Sequence, residues 1–251
     1  MEKNKFYVGD CIKLMKKLHP QSVDLILTDP PYNASKKGVN LPGNTTGGAF
    51  YKVNEDWDKF ESNESYYEFT KQWLKESDRI LKNTGSIMVC ATIHNAGEIL
   101  LILKEMGYRP LNVITWKKTN PMPNITKRML THSTEFVIWF SKASGWTFNY
   151  EEMKKYNEGK QLRDFWEFSL CQGKERIKGE DRKAAHPTQK PEALFGRLVE
   201  MASKKGDLVL DPFIGIGTTA KVCGDLKRDW MGFDLSKKYI SLAKKRIKKT
   251  E

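Results

Sequence analysis

Hydrophobic and polar positions alternate along this chain in short blocks that change period. Phe6-Tyr7-Val8 is a brief apolar run ended by Gly9. Asp10 then precedes Cys11, Ile12, Leu14, Met15 and Leu18 at helical spacing, which predicts a helix capped by Asp10. An exposed strand end facing a cleft is the second reading of Asp10 and Cys11. Val23 to Leu27 is a branched, apolar run that predicts a buried strand. Phe69, Trp73, Leu74, Ile80 and Leu81 recur at helical spacing in a stretch that begins near Trp57, and Asn83-Thr84-Gly85 is the expected stop. Strands are predicted at 86–91, 111–116 and 136–140, with a helix over 96–106.

After residue 185 the pattern turns regular again. Pro191 fits the first position of a helix whose buried face is Leu194, Leu198, Val199 and Met201. Strands over 207–211 and 230–234 flank a helix over 220–226. The last segment places Tyr239, Ile240, Leu242, Ala243 and Ile247 on one face, with the cations between 237 and 249 on a solvated one.

Two stretches break the pattern. Residues 33–60 are polar and glycine-rich, and a connection this long is expected to be a lid or an idle insertion. Residues 141–185 interleave Trp146, Phe148, Tyr150, Tyr156, Phe165, Trp166 and Phe168 with Lys and Arg. That mixture suits a nucleic-acid surface or a small satellite core. Within it, 174–183 reads as flexible and exposed.

Composition narrows the class. The chain has 251 residues, 11% of them aromatic, and a formal charge of +12 with a pI near 9.4. The charge favours a polyanionic partner. No apolar run spans a bilayer and the N-terminus carries no apolar leader, so a cytosolic location is expected. Four cysteines at 11, 90, 171 and 223 form no C-x-x-C pair, and four histidines are scattered, so no metal site is expected.

Three segments carry chemistry. Thr28-Asp29-Pro30-Pro31-Tyr32 displays an acid, two rigid residues and a ring at a strand's carboxyl end, where open α/β sheets bind ligands. Asp29 can accept from an exocyclic amine, the Pro30 carbonyl offers a second acceptor, and Tyr32 can stack on a flat ring. His186-Pro187-Thr188-Gln189-Lys190-Pro191 opens a helix whose N-terminus suits a carboxylate or phosphate. Asp211-Pro212-Phe213-Ile214-Gly215-Ile216-Gly217-Thr218-Thr219 joins strand to helix as a glycine-rich cofactor turn. No lysine follows Gly217, which excludes a P-loop. Asp234 ends the next strand about twenty residues on, the place of a ribose-binding acid. Lys117-Lys118-Thr119-Asn120-Pro121-Met122-Pro123-Asn124, with Lys127 and Arg128, forms a stiff cationic loop that can meet bases and phosphates, or a plain turn.

The three motifs, in this order, resemble the β-class of amino DNA methyltransferases, in which the catalytic motif precedes the S-adenosylmethionine motif. Ile114 to Pro121 and Thr131 to Glu135, the latter including His132, resemble a narrower group, the second adenine methyltransferase of DpnII-type restriction systems. The resemblance implies one methyltransferase domain over 1–251. Its fold would be a circularly permuted Rossmann-like sheet of mostly parallel strands with helices on both faces. A lid at about 33–60 and a target-recognition insertion at about 141–185 complete it. S-adenosylmethionine is the implied cofactor. Asp234 would hold its ribose, with Phe213, Gly215 and Gly217 beneath it. Thr188, Gln189, Lys190 and Thr219 would take its methionine end, and Asp10 and Cys11 its adenine edge. His186, Asp211, Pro212, Thr218 and Phe233 complete the two binding motifs. Asp29 to Tyr32 would be catalytic. Lys117, Lys118, Asn120, Asn124, Lys127, Arg128 and His132 would meet DNA. The implied activity is N6-methylation of adenine in DNA, at GATC, on duplex and also on single strands. A homodimer and a cognate restriction endonuclease are compatible partners. The cytosine-N4 amine, a glutamine amide, and a non-catalytic DNA-binding protein of the same fold stay open as alternatives. No cysteine follows a proline, so the ring-carbon cytosine mechanism is excluded.

Overall fold

The computed structural model describes residues 1–33, 58–124, 127–179 and 182–248. The expected lid therefore lies, over 34–57, outside the described residues, as does Trp57. The strands are β1 (Lys5–Val8), β2 (Val23–Thr28), β3 (Leu81–Ala91), β4 (Arg109–Lys118), β5 (Thr134–Ser141), β6 (Phe165–Phe168), β7 (Leu208–Asp211) and β8 (Asp229–Asp234). The helices are α1 (Cys11–Met15), α2 (Asn63–Ile80), α3 (Ala96–Glu105), α4 (Tyr150–Lys154), α5 (Glu192–Ala202), α6 (Thr218–Asp225) and α7 (Lys237–Lys248).

All eight strands form one sheet in the order β1-β8-β7-β2-β3-β5-β4-β6. Only β5 runs against its neighbours. The chain order reverses between β2 and β7, which pair in parallel with Leu25 beside Val209. Two strand ends separated by most of the sequence thus become neighbours. The N-terminal strand β2 precedes the glycine-turn strand β7 in the chain, which is the permuted order.

Alternate strand residues enter two apolar layers. Ile26, Ile87, Val89, Leu210 and Phe233 pack with α1, α2 and α3 on one face. Leu25, Leu27, Met88, Val209 and Trp139 pack with α5, α6 and Ile240 of α7 on the other. With both faces covered, β2 reads as a continuous apolar run. Each fully buried large side chain contributes roughly 1.5–3 kcal/mol, and Trp73, Trp116 and Phe195 are among the largest.

Three expectations change. The long helix starts at Asn63, where Ser62 and Ser65 form a capping box, and ends at Ile80. Leu81 already pairs with Val23 in the sheet. The expected stop at 83–85 is instead a bulge within β3, since the pairing jumps from Val23–Leu81 to Leu25–Ser86. Gly85 folds back so closely that a Cβ there would lie 2.6 Å from Leu81 Cδ1. Second, residues 165–168 form the edge strand β6, paired with β4. Four residues are too few to show a strand's alternation. Third, Arg246 leaves the solvated face of α7. It is buried, donates to the Ile216 carbonyl (3.2 Å) and Thr218 Oγ1 (3.1 Å), and pairs with Glu192.

Candidate active site

The carboxyl ends of β1, β2, β7 and β8 open onto one cleft of about 300 Å³. Gly9, Asp10 and Cys11 line it from β1, Asp29 to Tyr32 from β2, and Pro212 and Phe213 from β7. Asp234 and Leu235 line it from β8, and Tyr239, Phe69, His186 and Thr188 complete the wall. The segment 58–60 closes one side.

The turn after β2 is held from several directions. Thr28 Oγ1 donates to Asp211 Oδ1 at 2.7 Å, joining the ends of β2 and β7 inside the protein. The Tyr32 and Asn33 amides both donate to Asp58 Oδ1, at 2.7 and 2.9 Å. Tyr66 Oη donates to the Pro31 carbonyl at 3.0 Å and accepts from Asn95. The two prolines cannot form ladder bonds, so these contacts take the place of a sheet neighbour.

Asp29 sits in a ring of charges. Tyr32 Oη donates to its Oδ1, and Lys190 Nζ donates to its Oδ2 at 2.8 Å. Lys190 also faces Glu135 Oε2 at 3.4 Å, and Lys118 pairs with Glu135 Oε1 at 2.8 Å. Burial pushes the Asp29 carboxyl above the usual range, while the Lys190 ammonium and the Tyr32 hydroxyl oppose that rise. Burial alone would lower Lys190, but Asp29 and Glu135 overcome it and hold the ammonium above the usual lysine range. Burial would likewise raise Glu135, and Lys190 and Lys118 hold it below the carboxylate range. The Lys190 ammonium lies 5.2 Å from the Tyr32 ring centroid, so a flat ring stacking on Tyr32 would use the other face.

Several candidate residues sit behind the cleft wall rather than on it. Gln189 is buried and bonds the Ile177 amide (3.0 Å) and the Glu175 carbonyl (2.9 Å). It thereby anchors part of the 174–183 segment that the sequence suggested was flexible. The N-terminus of α5 is no open anion site. Pro191 is its N-cap, not its first residue, and the Glu175 carboxylate accepts from the Glu192 amide at 2.7 Å. Lys190 points at Asp29 instead of toward that terminus. Asp211 accepts from Thr28, Thr219 and the Phe213 amide, and burial raises its pKa to about 7. Thr219 and Thr218 are thus engaged internally, Thr218 through Arg246 and the Lys190 carbonyl. Phe233 is fully buried against Tyr7.

The glycine turn works through backbone shape. Gly215 has φ +53°, and a Cβ there would lie 3.3 Å from His186 Nε2. Its amide donates to Asp234 Oδ2 at 3.0 Å, and the Ser236 amide donates to Oδ1 at 2.7 Å. Gly217, at φ +83°, is pressed by Ala243 and Phe6. Asp10 both caps α1, accepting from the Lys13 amide at 2.8 Å, and lines the cleft. Cys11 is a neutral thiol, since burial pushes its pKa to about 12. His186 packs against Tyr239, with ring centroids 4.6 Å apart and the rings tilted by 57°, and stays neutral, because burial and then Lys190 and Arg176 lower its pKa to about 4.

The expected DNA residues divide. Lys117 pairs with Glu167, Lys118 with Glu135, and Asn120 bonds Gln172 and the Leu170 amide. Their partners lie in the protein because β5 and β6 flank β4. Lys127, Arg128 and His132 are exposed, and Asn124 bonds Thr131 through its amide. The aromatic segment is divided, with Phe148, Tyr150, Tyr156 and Phe165 exposed and Trp166 packed onto the sheet. Trp166 is buried, Arg109 lies over Trp146, and Arg197 sits 4.1 Å from the Tyr156 ring centroid. Among the described residues no group of acidic, His or Cys side chains could hold a metal. No helix among them is long and apolar enough to cross a membrane.

Glu135, Asp58 and Tyr239 were not legible as site residues. Glu135 brings a second acid to Lys190, 3.4 Å from its ammonium. Its neighbour Lys190 was visible in a motif, but which acids it would reach depends on strand order.

The chain matches the DNA methylase family over residues 23–245. It is 43% identical over 247 residues to the type II methyltransferase M.HinfI of Haemophilus influenzae, covering 98% of this chain and 68% of that protein. The chain belongs to the N6/N4 DNA methylase family. A type II methyltransferase of Lactococcus lactis subsp. cremoris, M2.LlaDCHI, is 41% identical, over 96% of this chain and 88% of its own. Among solved structures, the M1.HpyAVI complex with S-adenosylmethionine is 27% identical, with a TM-score of 0.69, covering 97% of this chain and 98% of that one. The cytosine-N4-specific PvuII DNA methyltransferase shares the fold at 20% identity, with a TM-score of 0.76 over 98% and 86% of the two chains. The chain is therefore an S-adenosylmethionine-dependent DNA methyltransferase with a Rossmann-like, mostly parallel sheet.

The cleft fits that cofactor chemically. Its lining includes four carboxylates, Asp10, Asp29, Asp58 and Asp234, against Lys59 and a neutral His186. A cofactor bearing a sulfonium and an ammonium suits such a wall, and a polyphosphate does not. Phe213, Leu235 and Tyr239 supply apolar surface for a purine.

Proposed function

We propose that this enzyme methylates the N6 amine of adenine in DNA, with GATC as its site. The observation that carries the proposal is the half-buried Asp29 carboxylate at the end of β2, held by Tyr32 and Lys190. Similar enzymes acting on cytosine more often carry Ser at that position. The fold does not choose the base, since a cytosine-N4-specific enzyme shares it. GATC rests on the resemblance of the segments around 117–124 and 131–135. With Lys118 and Asn120 engaged internally, readout falls to Asn124, Lys127, Arg128 and His132.

S-adenosylmethionine supplies a methyl group on a positively charged sulfur. Asp234, its carboxylate fixed by the Gly215 and Ser236 amides, would take the ribose hydroxyls. Asp10 and Cys11, which line the cleft, would border the adenine, and Thr188 and Phe213 would border the rest. An aryl amine is a poor nucleophile because its lone pair is delocalised into the ring. Asp29 and the Pro30 carbonyl accept its two N–H bonds and favour a tetrahedral nitrogen. The lone pair would then meet the methyl carbon as the carbon–sulfur bond breaks and its electron pair returns to sulfur, leaving a neutral thioether, and Asp29 would hold the proton that nitrogen sheds until solvent removes it. Positioning and fixed charges supply most of the acceleration. The target base must leave the duplex to reach Asp29, at a cost of a few kcal/mol that stacking on Tyr32 offsets. An unpaired base avoids that cost, so single strands are substrates too. A homodimer and a cognate restriction endonuclease belong to the same reading, as does a location beside cellular DNA.

Nucleoside mass spectrometry of the product, beside digestion with GATC endonucleases of opposite methylation sensitivity, tests this. N6-methyladenine with protection at GATC is expected. N4-methylcytosine would overturn the base, and protection elsewhere would overturn the site alone.

A further inference from the structure

Four charged side chains from four separate parts of the chain meet behind the cleft. Asp29 follows β2, Glu135 lies in β5, Lys118 ends β4, and Lys190 precedes α5. The contacts run in line: Asp29 to Lys190 at 2.8 Å, Lys190 to Glu135 at 3.4 Å, Glu135 to Lys118 at 2.8 Å. Lys190 and both Glu135 and Lys118 are largely shielded from solvent, with side-chain exposures of 6%, 13% and 13%. Two acids and two lysines make a neutral set. Burying charges this deeply is unfavourable unless each is paired. Glu135 Oε2 is buried, has no hydrogen-bond partner, and faces the Lys190 ammonium. A fold needing only a stable core would be served as well by apolar groups here.

We propose that Lys190 and Glu135 are positioning residues for methyl transfer, Lys190 keeping Asp29 ionised and aimed and Glu135 holding Lys190 against it. The inference rests on Asp29 being the amine acceptor, and it deepens that reading. Lys190 acts through Asp29 and not by gripping the cofactor. Its one ammonium serves both carboxylates, so its charge separates two acids that would otherwise repel. Glu135 keeps the ammonium from collapsing wholly onto Asp29, which must retain lone pairs for the amine. Lys118 in turn neutralises Glu135 and stacks near the Trp116 ring at 5.9 Å. The other titratable groups facing Asp29 are Tyr32, which donates to it, and the buried Asp211 and Cys90, which are uncharged or disfavour its charge.

The consequences are specific. With Lys190→Met, Asp29 and Glu135 lose the cation between them, and Lys118 stays on the far side of Glu135. Loss of an opposite charge at this distance raises a carboxyl by about 1–3 pH units. The acid limb of the single-turnover rate should move up by about that much, with rate regained at high pH. Adding Glu135→Gln removes the second negative charge, so the double variant should move the limb back toward wild type and turn over faster than Lys190→Met alone. Such sign-reversed coupling belongs to contacting charges, and loss of packing does not produce it. Cofactor affinity by calorimetry should change little in either variant.

The experiment is single-turnover methyl transfer against pH on duplex DNA at saturating cofactor, for wild type, Lys190→Met, Glu135→Gln, the double variant and Asp29→Asn. Circular dichroism melts confirm that each is folded. An unmoved acid limb in Lys190→Met, or additive losses in the double variant, would overturn the proposal. So would a large loss of cofactor affinity in Lys190→Met, which would return that lysine to the cofactor. Full activity of Asp29→Asn would instead overturn the amine-acceptor reading beneath it. The identity of the methylated base does not enter the test.

Discussion

The inner and outer parts of one sheet edge solve opposite problems. At the seam of β2 and β7, charges are paired and dry: Lys190 is 6% exposed and touches two carboxylates. On the loop between β4 and β5, Lys127 and Arg128 are exposed beside Met122, Met129 and Leu130, the last 90% exposed. The two regions meet at Glu135, only a few residues beyond that loop. The inner region is preorganised for one atom on one base, so its interactions are short and buried. On the proposed reading the outer region would meet the DNA backbone, where exposed cations act through counterion release and need no fixed partner. Catalytic precision and DNA affinity are therefore separable by mutation.

The sharpest way to break that contrast is Asp29→Ala. It should lower the methyl-transfer rate by about 10²–10³-fold or more, the usual loss for one preorganised group, with DNA affinity unchanged in a binding titration. Wild-type turnover would sink the division of labour itself. Asp234→Asn should weaken cofactor binding by about tenfold, in the range for a hydrogen bond to a charged group, while kcat at saturating cofactor stays near wild type. Calorimetry with an unchanged dissociation constant would remove Asp234 from the ribose role.

On the outer side, Lys127→Ala with Arg128→Ala should raise KM for DNA several-fold and leave kcat alone. Each lost phosphate contact should also flatten the plot of log affinity against log salt by about one. A fall in kcat with an unchanged salt slope would merge the two regions. The smallest effect concerns stability. His186 has a folded pKa lowered to about 4 from an ordinary 6.5, so the unfolded chain takes up the proton first. Its contribution is present above pH 6.5 and lost as the pH falls toward 4. His186→Gln should therefore lose less stability than wild type over that interval in thermal melts. Equal slopes would show that His186 is not the group responsible.

Much of the inner region was legible because its signals are local. The apolar run of β2, the paired prolines after it, and the glycines at 215 and 217 each encode a backbone shape within a few residues. Asp10 could be read as a helix cap from one neighbour, and it is one. The outer region was less legible. Lys117, Lys118 and Asn120 looked like DNA contacts because a cation in sequence carries no record of its partner. Glu167, Glu135 and Gln172 became those partners only when β6 and β5 came to lie beside β4. The same holds for Arg246, which reads as part of a basic run and ends as a buried clamp on the glycine turn.

The amino-acid sequence by itself determined the alternating elements, the two-faced core and the three motifs, since each depends on spacing along the chain. Tertiary structure decided which charges meet. The seam between β2 and β7 puts Asp29 beside the cofactor turn, and the reversed strand β5 carries Glu135 to Lys190. Coulomb energy depends on distance and on exclusion of water, and neither is written in the spacing of residues.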